Sequence, residues 1–179
     1  GLRDLLPDNP LEGIRNFFGF GNPNVNSTSR NNYDFGHNLP PTGTLGTGEQ
    51  MYGYDRGTHL HAGQDFDISG PDATFESQIG GKVMRIIEQP GGGYGKYIDI
   101  YNKDLDVTER IAEGAETLVK VGDEITPGTP VTRGETRTGV IHYEIRKGKE
   151  ETYGFGGTID PMKFLKEHTG HINGVPKNK

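Results

Sequence analysis

Glycine and proline interrupt this chain so often that a turn-rich β protein fits the sequence better than a helical one. The chain has 29 Gly and 11 Pro among its 179 residues, and after Gly53 the stretches between them are short and rich in β-branched and aromatic residues. Such stretches are typical of strands joined by turns. The predicted strands span 75–78, 82–88, 97–101, 130–133 and 140–146. The expected fold class is mainly β, a small antiparallel sheet.

Four segments are predicted along the chain. Residues 1–18 form an amphipathic helical arm, because their apolar side chains recur at helical spacing. Residues 19–48 form a flexible linker rich in Gly, Asn and Pro, 49–168 the β domain, and 169–179 a polar tail. Within the domain, the apolar run 118–121 is expected to be a strand before a Pro-Gly turn. A short helix is expected from Pro161 to Glu167, ended near Gly170. A first residue other than Met indicates a processed product or part of a longer chain.

The charge balance excludes several classes of partner. Lys and Arg number 19 against 25 Asp and Glu, a formal net charge of −6 at pH 7. No Lys/Arg run supplies the basic patch that nucleic acids and anionic membranes require. No stretch approaches the roughly 18 apolar residues of a membrane span. Without cysteine, the six His and the carboxylates are the expected metal ligands.

Two histidines and one aspartate are candidate metal ligands. His61 and Asp65 are four residues apart at the entry to a strand, and strand alternation places His142 on one face with Val140 and Glu144. Two imidazole nitrogens and one carboxylate oxygen leave the fourth position of a tetrahedral zinc ion open for water, as in catalytic sites. The alternative is a set of ordinary structural side chains, because a His and an Asp four apart also occur by chance.

Six motifs follow one another between His61 and Leu165. They are His61-Ala-Gly-Gln-Asp65, Gly80-Gly-Lys-Val83, Gly92-Gly-Tyr-Gly95 with Tyr97–Ile100, Leu118–Asp123 with Pro127-Gly128, Ile141–Arg146, and Ile159-Asp-Pro161 with Phe164-Leu165. In this order they resemble the lysostaphin/LytM-type zinc endopeptidases, which cleave peptide cross-links of bacterial peptidoglycan. The resemblance implies a small, barrel-like antiparallel β domain with a groove over one face of the sheet.

By the same resemblance, the ligands of a zinc cofactor are His61, Asp65 and His142. The implied function is a zinc-dependent endopeptidase whose partner is peptidoglycan. The expected location is extracellular, in the cell envelope or in a virion.

Two positions depart from the family pattern. The family ends in His-x-His, and the position of its first His, which assists the chemistry, is Val140 here; a second catalytic His is replaced by Glu113. Losing a positioned acid–base or oxyanion group costs about 10²–10⁴ in rate for each role. Glu113 as general base and His59 as an imidazole beside the metal are candidate replacements. For each, the alternative is an ordinary solvent-exposed side chain.

Arg56 and Tyr143 are candidate substrate-binding residues that would line the groove. Packing and solubility are the competing roles for both. His37, His168 and His171 fall in the linker and near the tail, where solvated side chains are expected.

A second function is compatible with the sequence. A peptidase domain that has lost its catalytic imidazoles would serve as a structural or peptidoglycan-binding module. The amphipathic arm and polar tether suit attachment to other chains of a larger envelope-penetrating assembly, such as a phage tail hub or the end of a tape measure. Turnover of peptidoglycan distinguishes the two functions.

Overall fold

The computed structural model describes residues 44–68, 70–89, 91, 93–133 and 139–172. The predicted arm, the linker up to residue 43 and the tail beyond residue 172 lie outside these ranges. The strands are β1 (Thr44–Leu45), β2 (Gln64–Asp67), β3 (Thr74–Glu76), β4 (Gly81–Glu88), β5 (Lys96–Asn102), β6 (Val107–Ala112), β7 (Glu116–Thr117), β8 (Glu124–Ile125), β9 (Pro130–Arg133), β10 (Val140–Lys147) and β11 (Thr158–Ile159). A 3-10 turn at Gly48–Gln50 precedes β2, and helix α1 (Pro161–Ile172) follows β11.

The strands form two sheets. The larger has the order β1–β2–β10–β6–β5–β4–β8, with β11 added beside β10, and the smaller has the order β3–β9–β7. All of these pairings are antiparallel. The mainly β, antiparallel fold class predicted from the sequence is therefore confirmed.

Strand β10 lies near the middle of the larger sheet, between β2 and β6. Its alternate side chains Ile141, Tyr143 and Ile145 are fully buried in the apolar core. The core continues through aromatic and aliphatic side chains of the other strands and is covered at one end by α1, which contributes Met162, Phe164 and Leu165. Each such side chain contributes about 1.5–3 kcal/mol when fully buried.

The opposite face of the same strand is also buried but polar. His142, Glu144 and Arg146 are at most 7% exposed. In the antiparallel register, residues that pair across strands share a face, so Asp65 of β2 and Arg110 of β6 lie on this polar face with them. This face of the sheet carries the candidate site.

Four local predictions need correction. The run 118–121 is not a strand, since β7 ends at Thr117 and β8 begins at Glu124. Strand β6 was not predicted, because Glu109 and Arg110 at its centre mask the strand pattern. Helix α1 continues to Ile172, past the expected end near Gly170. Strand β1 lies inside the predicted linker, because it pairs with β2.

The turn predicted at Pro127 and Gly128 is present. Gly128 has a φ of 87°, a left-handed conformation that glycine adopts without strain. In the part of the chain that the structure describes, no helix combines the length and apolar character needed to cross a membrane.

Candidate metal centre

The three predicted ligands meet on the polar face of the sheet. Asp65 and His142 are directly opposite each other on β2 and β10. Because the Ile68 N–H donates to the Gly139 carbonyl, the alternation of the ladder makes Asp65 and His142 a non-hydrogen-bonded pair, in which side chains approach most closely. His61 joins them from the segment that leads into β2.

The ligand atoms of these side chains converge on one point. His61 Nε2 lies 3.0 Å from His142 Nδ1 and 3.2 Å from Asp65 Oδ1, and His142 Nδ1 lies 2.8 Å from the same oxygen. A tetrahedral ion with ligand bonds of about 2.0–2.1 Å holds its ligand atoms about 3.3 Å apart. The observed triangle is close to that size, and all three residues are buried.

A glycine makes this approach possible. A Cβ at Gly63 would come within 2.9 Å of both Glu144 Cγ and His142 Cε1, and closer still to the Tyr143 carbonyl oxygen. The central glycine of the His61-Ala-Gly-Gln-Asp65 motif is therefore required by the packing of the β2 entry against β10.

Hydrogen bonds outside the triangle orient both imidazoles. His61 Nδ1 lies 3.0 Å from the Met51 carbonyl, which only accepts, so Nδ1 carries the hydrogen and Nε2 carries the lone pair. His142 Nε2 lies 2.8 Å from Glu144 Oε1, so it donates and leaves Nδ1 toward the cluster. This is the arrangement by which partners fix the tautomers of metal-ligating histidines. Two nitrogens and a carboxylate oxygen aimed at one point could hold a metal ion.

The electrostatics of the site agree with this geometry. Burial raises the pKa of Asp65, but hydrogen bonds with His142 and His61 outweigh it and hold that pKa well below its usual value. Burial lowers the pKa of His142, while Asp65 and Glu144 raise it to about 9. Without a metal, a proton on His142 supplies the positive charge. Metal binding must displace that proton, so it is expected to release protons.

Arg56 lies at the edge of the cluster. Its Nη2 donates to Asp65 Oδ2 at 3.3 Å and to the Glu49 carbonyl at 2.8 Å. The Arg56 side chain is 34% exposed, so it borders both the cluster and the solvent. The guanidinium occupies the outer oxygen of Asp65 and leaves Oδ1 to the two histidines.

His59 lies in a short hairpin closed by a bridge between Asp55 and Leu60. Its side chain is exposed, and its Nδ1 lies 2.8 Å from Thr58 Oγ1. The contact to Asp65 from this hairpin is made by Arg56.

Tyr143 lies on the wrong face for a substrate-binding role. It is fully buried, and its hydroxyl donates to Glu109 Oε1 at 2.7 Å. Successive side chains of a strand point to opposite faces, so a residue next to His142 is directed away from the candidate metal centre. The structure contradicts the prediction that Tyr143 lines the groove.

The two positions that depart from the family pattern flank the centre. Val140 is half-buried and pairs with Asp67 on the same face as His142. Glu113 follows Ala112, which pairs with His142. Glu113 has a φ of 70°, and its backbone N–H donates to the Lys96 carbonyl at 2.8 Å.

The groups that surround His142 could not all be predicted from the sequence. Strand alternation places Glu144 on the same face as His142, and this spacing of two residues is the available signal. Tyr94, whose hydroxyl donates to Glu144 Oε1 at 2.9 Å, comes from the β4–β5 turn. No local pattern in that Gly-rich turn indicates this contact.

Comparison with known proteins supports the fold. No family model matches the sequence. No curated protein matches it either. Several solved structures do. The catalytic domain of the antimicrobial peptidase lysostaphin from Staphylococcus simulans is 22% identical, with a TM-score of 0.55 over 69% of this chain and 92% of that domain.

Two further structures are similar to the same degree. CbpA from L. salivarius REN has 20% identity and a TM-score of 0.58 over 70% of this chain and 90% of that one. The catalytic domain of the prophage-encoded M23 protein EnpA from Enterococcus faecalis, solved as a point mutant, has 21% identity and a TM-score of 0.55 over 69% and 92%. The chain therefore has the fold of the lysostaphin/M23 peptidase domains.

Proposed function

We propose that this protein is a zinc-dependent endopeptidase acting on the peptide cross-links of peptidoglycan. The observation that carries the proposal is the convergence of His61 Nε2, Asp65 Oδ1 and His142 Nδ1 within 3.2 Å of one another. The fold is that of peptidase domains, and the donor set of two imidazoles and one carboxylate suits a catalytic zinc ion. Zinc held there would act as a Lewis acid that activates water and polarises a carbonyl.

The chain's own residues prepare the site for that chemistry. The Met51 carbonyl and Glu144 hold the two imidazole rings, and Arg56 holds Asp65 through its second oxygen. Glu113 is the better placed of the two candidate replacements for the missing imidazoles. It is the first residue after β6, whose last residue pairs with His142, and its φ of 70° takes it out of the strand alternation. We propose it as the general base, and His59 as a contributor only if its hairpin turns toward bound substrate.

The direct test is digestion of purified peptidoglycan. We expect new amino termini to be released by the wild-type protein, to be abolished by a chelator and to return with zinc. His61→Ala and His142→Ala should be inactive, whereas His168→Ala, which removes a histidine of α1 outside the cluster, should be active. Release of amino termini that persists in the chelator, or in His142→Ala, would refute the proposal.

Replacement of Glu113 and His59 separates the candidate catalytic groups. If Glu113 is the base, Glu113→Gln should lower kcat by about 10²-fold or more, with little change in KM. His59→Ala should then have little effect. Equal rates for Glu113→Gln and wild type would remove Glu113 from the mechanism.

A degenerate module is the second candidate, favoured by the valine at position 140 and the glutamate at position 113 where the resemblance expects histidines. If the domain is such a module, the protein should sediment with peptidoglycan but release no amino termini from it. Val140→His tests this candidate, because it restores a histidine at a position that shares the face of His142. Activity gained only in Val140→His would establish the degenerate module.

We further propose a location in the cell envelope, the extracellular space or a virion, where peptidoglycan is accessible. One structural neighbour is prophage-encoded, which is consistent with a place in a phage assembly. Attachment through the arm at residues 1–18 is tested by comparing the full chain with a chain starting at residue 19, which keeps the linker. The measurement is co-purification of each with virion or envelope fractions.

A further inference from the structure

Glu144 is a fully buried carboxylate with polar partners on both of its oxygens. Oε1 accepts from His142 Nε2 at 2.8 Å and from the Tyr94 hydroxyl at 2.9 Å. Oε2 accepts from Arg146 Nη1. The imidazole of His142 lies between this carboxylate and the cluster, since His142 meets Glu144 through Nε2 and Asp65 through Nδ1.

Arg146 is itself held in place. It is 1% exposed, its Nε donates to Thr152 Oγ1 at 2.9 Å, and its Nη2 donates to the carbonyls of Gly154 at 3.1 Å and Gly156 at 3.3 Å. A guanidinium only donates hydrogen bonds, so the oxygen of Glu144 that faces it must accept. That requirement fixes Oε2 and directs Oε1 toward His142.

A buried ion pair of this kind is weak evidence for stability, because desolvation offsets the attraction between the charges. Its effect on the imidazole is specific. As long as Oε1 is an acceptor, the hydrogen of His142 stays on Nε2, and Nδ1 faces Asp65 and His61.

We infer that Glu144, held by Arg146 and Tyr94, is a positioning residue that selects the nitrogen with which His142 binds a metal ion. This inference rests on the proposed zinc centre and adds a residue that controls it. Outer partners of metal-binding histidines typically change metal affinity by 10- to 100-fold when they are replaced.

Glu144→Gln reverses the hydrogen-bond polarity with little change of shape. Arg146 still requires an acceptor, so the amide oxygen of the glutamine faces Arg146 and the NH₂ group faces His142. An NH₂ group donates to Nε2, which then carries the lone pair and shifts the ring hydrogen to Nδ1, the nitrogen aimed at the cluster. We expect a 10- to 100-fold loss of zinc affinity in a competition titration with a chromophoric chelator.

Two variants provide matched comparisons. Glu109→Gln makes the same chemical change at a fully buried carboxylate on the opposite face, whose partners are Ser77, Gln78 and Tyr143; its zinc affinity should equal that of wild type. Tyr94→Phe removes one hydrogen bond to Oε1 but keeps the bond from His142. It should weaken zinc binding by about two- to fivefold.

Nitrogen-15 NMR of the zinc-loaded wild-type protein gives a readout independent of activity and of the variants. We expect the hydrogen of His142 on Nε2 and the metal on Nδ1. Ligation through Nε2 would overturn the inference, even if Glu144→Gln did not fold. A folded Glu144→Gln protein that binds zinc as tightly as wild type would also overturn it. If wild-type protein bound no zinc, the proposed zinc centre itself would fail, which is a distinguishable result.

Discussion

The two faces of strand β10 are equally buried for opposite reasons. Ile141, Tyr143 and Ile145 pack into an apolar core, whereas His142, Glu144 and Arg146 are buried among charged partners. The apolar face contributes through area removed from water, which tolerates modest changes of shape. On the polar face each buried charge depends on a specific partner, so loss of one group leaves another uncompensated. One strand therefore supports both the fold and the candidate site.

The polar face has a second charged cluster that shows the same dependence. Asp99 accepts from Arg110 Nε at 2.7 Å and Nη2 at 2.8 Å, and from Arg85 at 2.9 Å. Arg110 is surrounded by the rings of Tyr94, Tyr97 and Tyr153. Tyr94 links this cluster to the candidate metal centre, because its ring lies against Arg110 and its hydroxyl donates to Glu144.

The largest effect is expected from Asp99→Ala. It leaves the buried guanidinium of Arg110 without its carboxylate, and such losses cost about 3–5 kcal/mol. Ile100→Val, the next residue along β5 on the apolar face, should cost about 0.5–1.5 kcal/mol. Urea unfolding of both variants checks this. If Asp99→Ala lost less unfolding free energy than Ile100→Val, the proposed difference between the two faces would be wrong.

A pH dependence is expected from a carboxyl group on the apolar side. Burial raises the pKa of Glu109 to about 7, against hydrogen bonds from Ser77, Gln78 and Tyr143 that lower it. Since its unfolded value is near 4.5, the folded state holds the proton more tightly. Stability from this group is therefore present below pH 4.5 and is lost as pH rises to about 7.

The unfolding free energy lost through Glu109 over this pH range is at most about 3 kcal/mol. Burial also raises the pKa of Glu76 to about 7, so both residues contribute to the wild-type curve. The difference between wild type and Glu109→Gln in unfolding free energy, measured from pH 4 to pH 8, isolates Glu109. A difference that does not vary over this range would contradict the expectation.

Zinc should stabilise the folded state through ligands on the polar face. A ligand that binds only the folded state at 100 times its dissociation constant adds about 2.7 kcal/mol. We expect this gain in wild type and in Ile100→Val, and none in His142→Ala. Thermal unfolding with zinc or with a chelator measures it, and an equal zinc effect in His142→Ala would place the ion elsewhere.

Tyr143→Phe gives the smallest expected change. It removes one hydrogen bond to Glu109 and should lower stability by about 1 kcal/mol without altering zinc affinity or peptidoglycan cleavage. If Tyr143→Phe lost cleavage but kept its zinc affinity, Tyr143 would have a role in substrate binding after all.

Features whose signal lies within a short stretch of the chain could be predicted from the sequence. The alternation of β10 is contained in eight consecutive residues, and His61 and Asp65 lie in one short motif, so both could be read from the chain. Strand β6 was missed because its charged residues acquire partners only in the folded sheet. The same alternation that places His142 on the polar face argued against Tyr143 in the groove.

Contacts between distant segments could not be predicted. The hydroxyl of Tyr94 reaches Glu144 across 50 positions of sequence, and the carbonyl of Met51 orients His61 from a loop. Neither contact requires a particular residue pattern. A backbone carbonyl leaves no sequence signal, and a tyrosine in a Gly-rich turn suits many roles.

The most direct test of zinc binding by His61, Asp65 and His142 is a calorimetric zinc titration. It compares wild type with His61→Ala, His142→Ala and His168→Ala. We expect one zinc ion per chain in wild type and in His168→Ala, with proton release on binding, and no binding in the two ligand variants. No zinc binding by the wild-type protein, or unchanged binding by His61→Ala and His142→Ala, would contradict this expectation.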